Sequence, residues 1–351
     1  MDKKRVGILT FHRADNLGAV LQAYALQDTL INECGVQAEI IDYKCEEVEK
    51  TKTVSKSASF KGKIKVLSKK IYYRIKSKGF KRFRKQKLKI SGNIFNRTNI
   101  NNCVNDYDIF ISGSDQVWNL ECSGNDMTYF LDFAPESKVK ASYAASIGTY
   151  KYTNEEQNHI HTLLNGFSAV SVRENTAKLF LENIGISDVA VMPDPVFLLD
   201  VYQWKKVMSK RLCRKKYMLV YLIQEDVNVI ESAEAYAKKH GLKIINNKKS
   251  IEFILHNSPA EFLSFICNSE CVFTNSFHGT ALSLIFSKPL CADIELKNGG
   301  INNRINELLT YTNAQKCILS DVNAEPFTAN IQSSLDIMKN NALNYFHNVL
   351  Q

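Results

Sequence analysis

The run Thr274-Asn275-Ser276-Phe277-His278-Gly279-Thr280 follows the apolar stretch Cys271-Val272-Phe273 and precedes a new apolar period, Ala281-Leu282-Ser283-Leu284. That order predicts a strand ending in a tight turn that caps a helix. In an open α/β sheet, ligands bind at the carboxyl ends of strands, and a helix N-terminus there favours anions. A His held at that point can meet a phosphate or a carboxylate and exchange a proton with it. Asn275, Ser276, Gly279 and Thr280 would line the same turn. A purely structural reading stands beside this one, in which the turn is only a cap and His278 satisfies backbone groups.

Two other turns carry side chains suited to a site. Thr10 to Gln22 includes Phe11, Asn16 and Gly18 between a first strand and a first helix. One glycine does not make the dinucleotide fingerprint, yet the turn can offer a helix N-terminus, an amide and a ring to a sugar or phosphate. Ser112-Gly113-Ser114-Asp115-Gln116-Val117-Trp118-Asn119 follows a strand directly. Trp118 could stack on a sugar ring there, or the segment could be an Asx turn with Trp118 in the core. Arg173 ends the apolar run Val170-Ser171-Val172 and suits bidentate contact with an anion, or else an ion pair with Glu174. Lys297 follows a strand ending at Ile294, and Arg304 opens the next helix.

Other signals carry little. Asp106-Tyr107-Asp108 precedes a core strand instead of following one, and His159 and His161 sit two apart in a helix pattern, on different faces. No hydrolase elbow, zinc-protease motif or P-loop is present, and no metal site is expected.

The elements that must position these turns alternate. Strand signals lie at 6–10, 38–43, 107–112, 139–146 and 169–172, with helix signals at 19–31, 155–167 and 174–183. Residues 188–199 read as a strand followed by a linker. A second set follows, with strands at 217–223, 243–247, 271–274 and 289–294 and helices at 227–240, 260–267 and on to 286. The pattern predicts an α/β chain of two Rossmann-like domains facing across a cleft, with residues 1–195 in one and 196–351 in the other.

Charge is uneven. The 351 residues carry a net charge of +9, yet residues 50–89 hold 17 Lys and Arg and no Asp or Glu. Within that segment Phe60, Ile64, Leu67, Ile71 and Ile75 fall at helical spacing. A basic helix with an apolar stripe suits an anionic membrane surface, at about 1 kcal/mol per cation, or it is a solvated helix packed on its domain. No nucleic-acid-binding motif accompanies it, so nucleic acid is not expected as a partner. Nine scattered cysteines, with no signal-peptide pattern and no spanning segment, read as reduced thiols in a cytoplasmic protein.

Taken together, the turns resemble the polysaccharide pyruvyl transferase family. The matching pieces are Gly7 to His12 with Asn16 to Leu26, then Gly113 to Asn119, Ala141 to Gly148, Ser171 to Glu174, Asp194-Pro195-Val196, and Thr274 to Thr280. They run in order across nearly the whole chain; the basic segment 50–89 is the least typical part. The resemblance implies a fold similar to B-type glycosyltransferases. It also implies transfer of pyruvate from phosphoenolpyruvate to two hydroxyls of a sugar in a surface-polysaccharide precursor, closing a cyclic ketal. Phosphoenolpyruvate is then a substrate, and no cofactor is required.

By the same resemblance His278 and Arg173 match the family's donor-binding residues. Lys297 matches a later Lys, with Lys288 and Arg304 as competitors. Phe11, Asn16, Gly18, Ser114 and Trp118 become acceptor-side candidates, and Asp115 a candidate base. Members tied to lipid or wall polymers often carry Arg-Leu-His where this chain has Ser276-Phe277-His278. The basic helix suggests a lipid-linked acceptor and a peripheral location at the inner membrane face. Two other functions fit the same scaffold: a glycosyltransferase using a nucleotide sugar, and a non-catalytic glycan- or lipid-binding protein.

Overall fold

A computed structural model describes residues 3–50, 60–295 and 302–351, with the side chains of 50 and 60–69 left out. The chain forms two compact units. The first takes the described residues of 1–54, 84–198 and 337–351, and the second those of 55–83 and 199–336.

The first unit is built on five parallel strands: β1 (Arg5–Leu9), β2 (Gln37–Tyr43), β3 (Ile90–Phe95), β4 (Ile109–Ser112) and β5 (Val139–Ser142). Their order is β3-β2-β1-β4-β5, so the direction of winding reverses between β1 and β4. Four successive buried residues in β1 and four in β4 explain why both read as unbroken apolar runs: helices cover both faces of such strands. The helix Leu17–Asn32 makes the first crossover, with Leu21, Leu26 and Leu30 fully buried. Two short parallel strands, β6 (Ser171–Val172) and β7 (Ala190–Val191), carry the chain beyond β5.

The second unit repeats the plan with β8 (Tyr217–Tyr221), β9 (Lys243–Asn246), β10 (Val272–Thr274) and β11 (Leu290–Ala292), all parallel in the order β11-β10-β8-β9. Its winding reverses between β8 and β10. Both units are thus α/β with parallel sheets, each with one switch point where a ligand crevice belongs.

Several segments differ from the sequence reading. The boundary near 195 leaves two exchanges unseen. Residues 60–83, counted above with the N-terminal domain, group with the second unit: Phe80 and Phe83 are buried, and the Tyr72 hydroxyl accepts a hydrogen bond from Asn257 Nδ2 at 2.9 Å. Residues 337–351 return to the first unit, where Phe346 stacks on Tyr143 at 4.6 Å and the Tyr345 hydroxyl donates to the Ser142 carbonyl at 2.6 Å. The expected linker after Asp194 is instead core: Pro195–Leu198 form a 3-10 turn and are all buried. β3 has no counterpart in the sequence reading because Ser91, Gly92 and Asn93 interrupt its apolar residues.

Candidate functional site

At the switch point of the second unit, Thr274 ends β10 and its hydroxyl donates to the Tyr221 carbonyl at the end of β8, at 2.5 Å. The same oxygen accepts from the Ser276 amide at 3.0 Å. Asn275 bridges the two strand ends, accepting from Ile223 N at 2.9 Å and donating to the Gln224 carbonyl at 3.2 Å. Ser276 then caps the helix Phe277–Ile285, its Oγ accepting from Gly279 N at 3.2 Å. A Cβ on Gly279 would lie 2.6 Å from Thr274 Oγ1, so only glycine lets the helix start this close to the strand.

His278 therefore sits on the first helical turn, not before it, and is partly exposed. Thr280 is fully buried. The turn offers small polar residues, a helix N-terminus and an imidazole at a sheet's carboxyl edge, an arrangement that can bind an anion and move a proton. Asp293 follows β11 beside it, its amide donating to the Thr274 carbonyl at 2.8 Å. Burial, reinforced by a hydrogen bond with Asp226, pushes the Asp293 carboxyl up to about 7.

The first unit treats charge differently. At the end of β6, Arg173 donates from Nε to Glu174 at 3.0 Å and from Nη1 to Asp194 at 2.7 Å. Side-chain exposures are 3% for Arg173, 4% for Glu174 and 0% for Asp194. Burial works to lower the Arg173 pKa, but Glu174, Asp194 and nearby Asp115 outweigh it, and the guanidinium is held more firmly protonated than usual. Ser114 Oγ donates to Asp194 at 3.3 Å and Ser146 Oγ to Glu174 at 2.6 Å. Arg173 is thus ion-paired to two carboxylates of its own chain. The ion-pair reading of Arg173 describes its position.

Asp115 lies past the carboxyl end of β4 with φ of 72°, a left-handed conformation that Asp adopts more readily than most non-glycine residues. It is partly exposed, and one carboxylate oxygen accepts from Gln116 N at 2.9 Å. Trp118 is not available to stack on a sugar. It is fully buried, stacked on Phe130 at 5.1 Å with its indole N–H donating to the Tyr129 carbonyl at 3.0 Å. Phe11 is likewise a core residue, 6% exposed and edge-on to Tyr129 at 4.8 Å. Asn16 caps the first helix by accepting from the amides of Gly18 and Ala19, and Gly18 is buried in that first turn. Lys297 lies outside the described residues.

The family model for polysaccharide pyruvyl transferase matches residues 16–292, well over half of the chain. The chain belongs to that family. Its activity class is accordingly that of a transferase. No curated protein matches the sequence. Solved structures resemble it at low identity. S. aureus MnaA with UDP is 12% identical, covering 99% of this chain and 90% of that one at a TM-score of 0.47. The UDP-GlcNAc 2-epimerase from Neisseria meningitidis bound to UDP-GlcNAc is 12% identical, covering 97% and 100% at 0.46. E. coli heptosyltransferase WaaC with ADP is 12% identical, covering 99% and 100% at 0.37.

In this pyruvyl transferase family member, sequence reasoning named Arg173, an ion pair with Glu174 as its alternative role, and the motif at Asp194, but missed that Asp194 also pairs with Arg173 and that Ser146 holds Glu174. The signal was present: a carboxylate adjacent to Arg173 and another held between Pro193 and Pro195. Asp226 and Asp293 were also missed, since nothing in their local sequence distinguishes them from an ordinary helix cap and strand end. A third cluster ties down the loop after β1: Asp42 meets His12 at 3.0 Å and Arg13 at 2.6 Å, while Arg84 meets Asp15 at 2.8 Å.

Proposed function

We propose that the protein transfers pyruvate from phosphoenolpyruvate to two hydroxyls of a sugar, forming a cyclic ketal. The observation that carries this reading is the His278 turn, which pairs a helix N-terminus with a titratable group at the switch point of the second sheet. A proton delivered to the donor's methylene carbon makes C2 electrophilic. One sugar hydroxyl adds there and loses its proton. The C2–O bond to phosphate then breaks, phosphate leaving with the electron pair, and the second hydroxyl adds and loses its proton to close the ring. The balance requires a proton donor, a base and groups that hold the anions, and no cofactor.

In this scheme His278 binds the donor anion and delivers or receives a proton, with Asn275, Ser276, Gly279 and Thr280 shaping its turn. Asp115 takes a proton from the acceptor hydroxyl. Arg173 acts as a positioning residue that holds Asp194 and Glu174 in place. Lys297 adds positive charge to the donor.

We place the acceptor on a lipid. Lys70, Arg74, Lys78 and Lys81 are exposed on the helix Phe60–Lys87, and at about 100° per residue they share one side with Ile71, which is 52% exposed. No described helix is long and apolar enough to cross a membrane. Such a face suits peripheral contact with anionic lipid. Reversing these four cations to Glu should abolish sedimentation with phosphatidylglycerol vesicles; unchanged sedimentation removes the membrane from the proposal.

The donor is tested by thermal stabilisation. Phosphoenolpyruvate at about 100 times its dissociation constant should add roughly 2.7 kcal/mol, lost in His278→Ala. Acceptor-dependent phosphate release completes the test. A response confined to a nucleotide sugar would instead mean glycosyl transfer.

A further inference from the structure

A cavity of about 400 Å³ opens in the first unit at the carboxyl ends of β2 and β3. Its walls come from Tyr43 to Glu47 after β2, Asn96 to Thr98 after β3, and the turn Ser123 to Asp126. The volume is that of an ordinary small-ligand site.

We propose that this cavity holds a neutral sugar ring of the acceptor, one other than the ring that receives pyruvate. The inference rests on the proposed function for the word acceptor, and on the cavity alone for the ligand's chemistry. Lys44 and Arg97 face Glu46, Glu47 and Asp126 around the lining, a net charge of −1 that disfavours a phosphate or carboxylate. The lining side chains are almost all hydrogen-bonding groups, so an aliphatic ligand would strand them.

The polar groups are also held in place before any ligand arrives. The Tyr43 hydroxyl donates to Asp126 Oδ2 at 2.5 Å and lies 2.9 Å from Thr128 Oγ1. Burial first, and then the Asp126 carboxylate, raise the Tyr43 phenol pKa, so the donor stays protonated. Arg97 Nη1 reaches Thr128 Oγ1 at 3.1 Å and Asp132 at 2.7 Å, while its side chain remains 56% exposed. A carboxylate and a guanidinium fixed by one hydrogen-bonded chain present an acceptor and donors side by side, the pairing that vicinal hydroxyls satisfy. Fixing them beforehand lowers the ordering cost of binding.

Position sets the ring's identity. β2 and β3 are two and three strands from β4, whose carboxyl end leads into Asp115, a separation of roughly 10–14 Å at sheet spacing. A di- or trisaccharide covers that distance and a single ring does not. The acceptor is then an oligosaccharide, recognised through a sugar that is not modified.

The test reads binding without turnover. Saturation-transfer NMR with lactose, cellobiose and maltotriose, beside glucose and galactose, should show at least one oligosaccharide bound to the wild type. Arg97→Ala and Thr98→Trp, the second filling the cavity from an exposed loop position, should each cut that signal at least fivefold. Both should keep the stabilisation by phosphoenolpyruvate, which shows them folded. Signals unchanged in both variants, no signal from any sugar, or a stronger effect from glucose 6-phosphate would each overturn the assignment. Sugar binding abolished in the variants, with no donor response in any form, would keep this site and sink the pyruvyl-transfer reading; the reverse pattern would do the opposite.

Discussion

Two strand ends in this protein carry the residues that looked most able to hold an anion, and they use them in opposite ways. Arg173 at the end of β6 is walled in by Glu174 and Asp194, and Ser114 and Ser146 each donate a further hydrogen bond to those carboxylates. His278 past the end of β10 sits on a helix N-terminus built from small polar residues and remains partly exposed. A charge at a sheet's carboxyl edge is therefore no measure of ligand binding by itself. What decides is whether the fold supplies counter-charges of its own, because a buried charge without them is prohibitively costly.

Removing the Arg173 side chain should show this most strongly. Arg173→Ala leaves two buried carboxylates facing each other and should cost about 3–5 kcal/mol in denaturant unfolding. Neutralising all three residues together, as Arg173→Met with Glu174→Gln and Asp194→Asn, should recover part of that loss. No loss in the single variant would mean that the cluster is not sealed, and the contrast with His278 would fall.

His278→Ala should behave in the opposite way. Acceptor-dependent phosphate release should fall by about 10²–10⁴-fold, the range for a proton-transfer group, with the unfolding midpoint little changed. A large stability loss with unchanged kcat would make His278 structural and erase the difference between the two strand ends.

The pH dependence sharpens the comparison on the second unit. Asp293 keeps its proton up to about 7 in the folded chain, whereas the unfolded group releases it near 3.8. The folded state thus binds more protons between those values, and stability should fall as pH rises through that window and level off above it. Midpoints of thermal unfolding from pH 4 to 8 should show this slope, and Asp293→Asn should flatten it. A slope that survives the substitution assigns the effect elsewhere.

The smallest effect separates a cap from a ligand contact. Asn16→Ala should cost about 1 kcal/mol through the lost cap of the first helix, while Asn16→Asp retains both stability and acceptor kinetics. A KM change for the acceptor in Asn16→Asp would restore Asn16 to the binding site.

Much of the architecture was legible because it rests on local periodicity. The alternation of unbroken apolar runs with 3.6-residue periods predicts parallel strands under helices, and β1, β2, β4, β8, β9, β10 and β11 all lie where that pattern falls. The turn from Thr274 to Thr280 was equally legible, since a helix start is written in the type and spacing of a few adjacent residues. Trp118 was ambiguous for a related reason: a ring beside a turn has the same local sequence whether it faces solvent or the stacked ring of Phe130.

What the sequence by itself determined is the α/β class, the family and the places where strands hand over to helices, because each depends on residues near one another in the chain. The tertiary structure alone decided which charges are spent internally. Arg173 meets Asp194 across 21 positions, and Tyr43 meets Asp126 across 83. It also decided that residues 60–83 and 337–351 exchange between the two units. Such pairings are set by the burial of side chains from distant segments in one core, and no short window of sequence contains both partners.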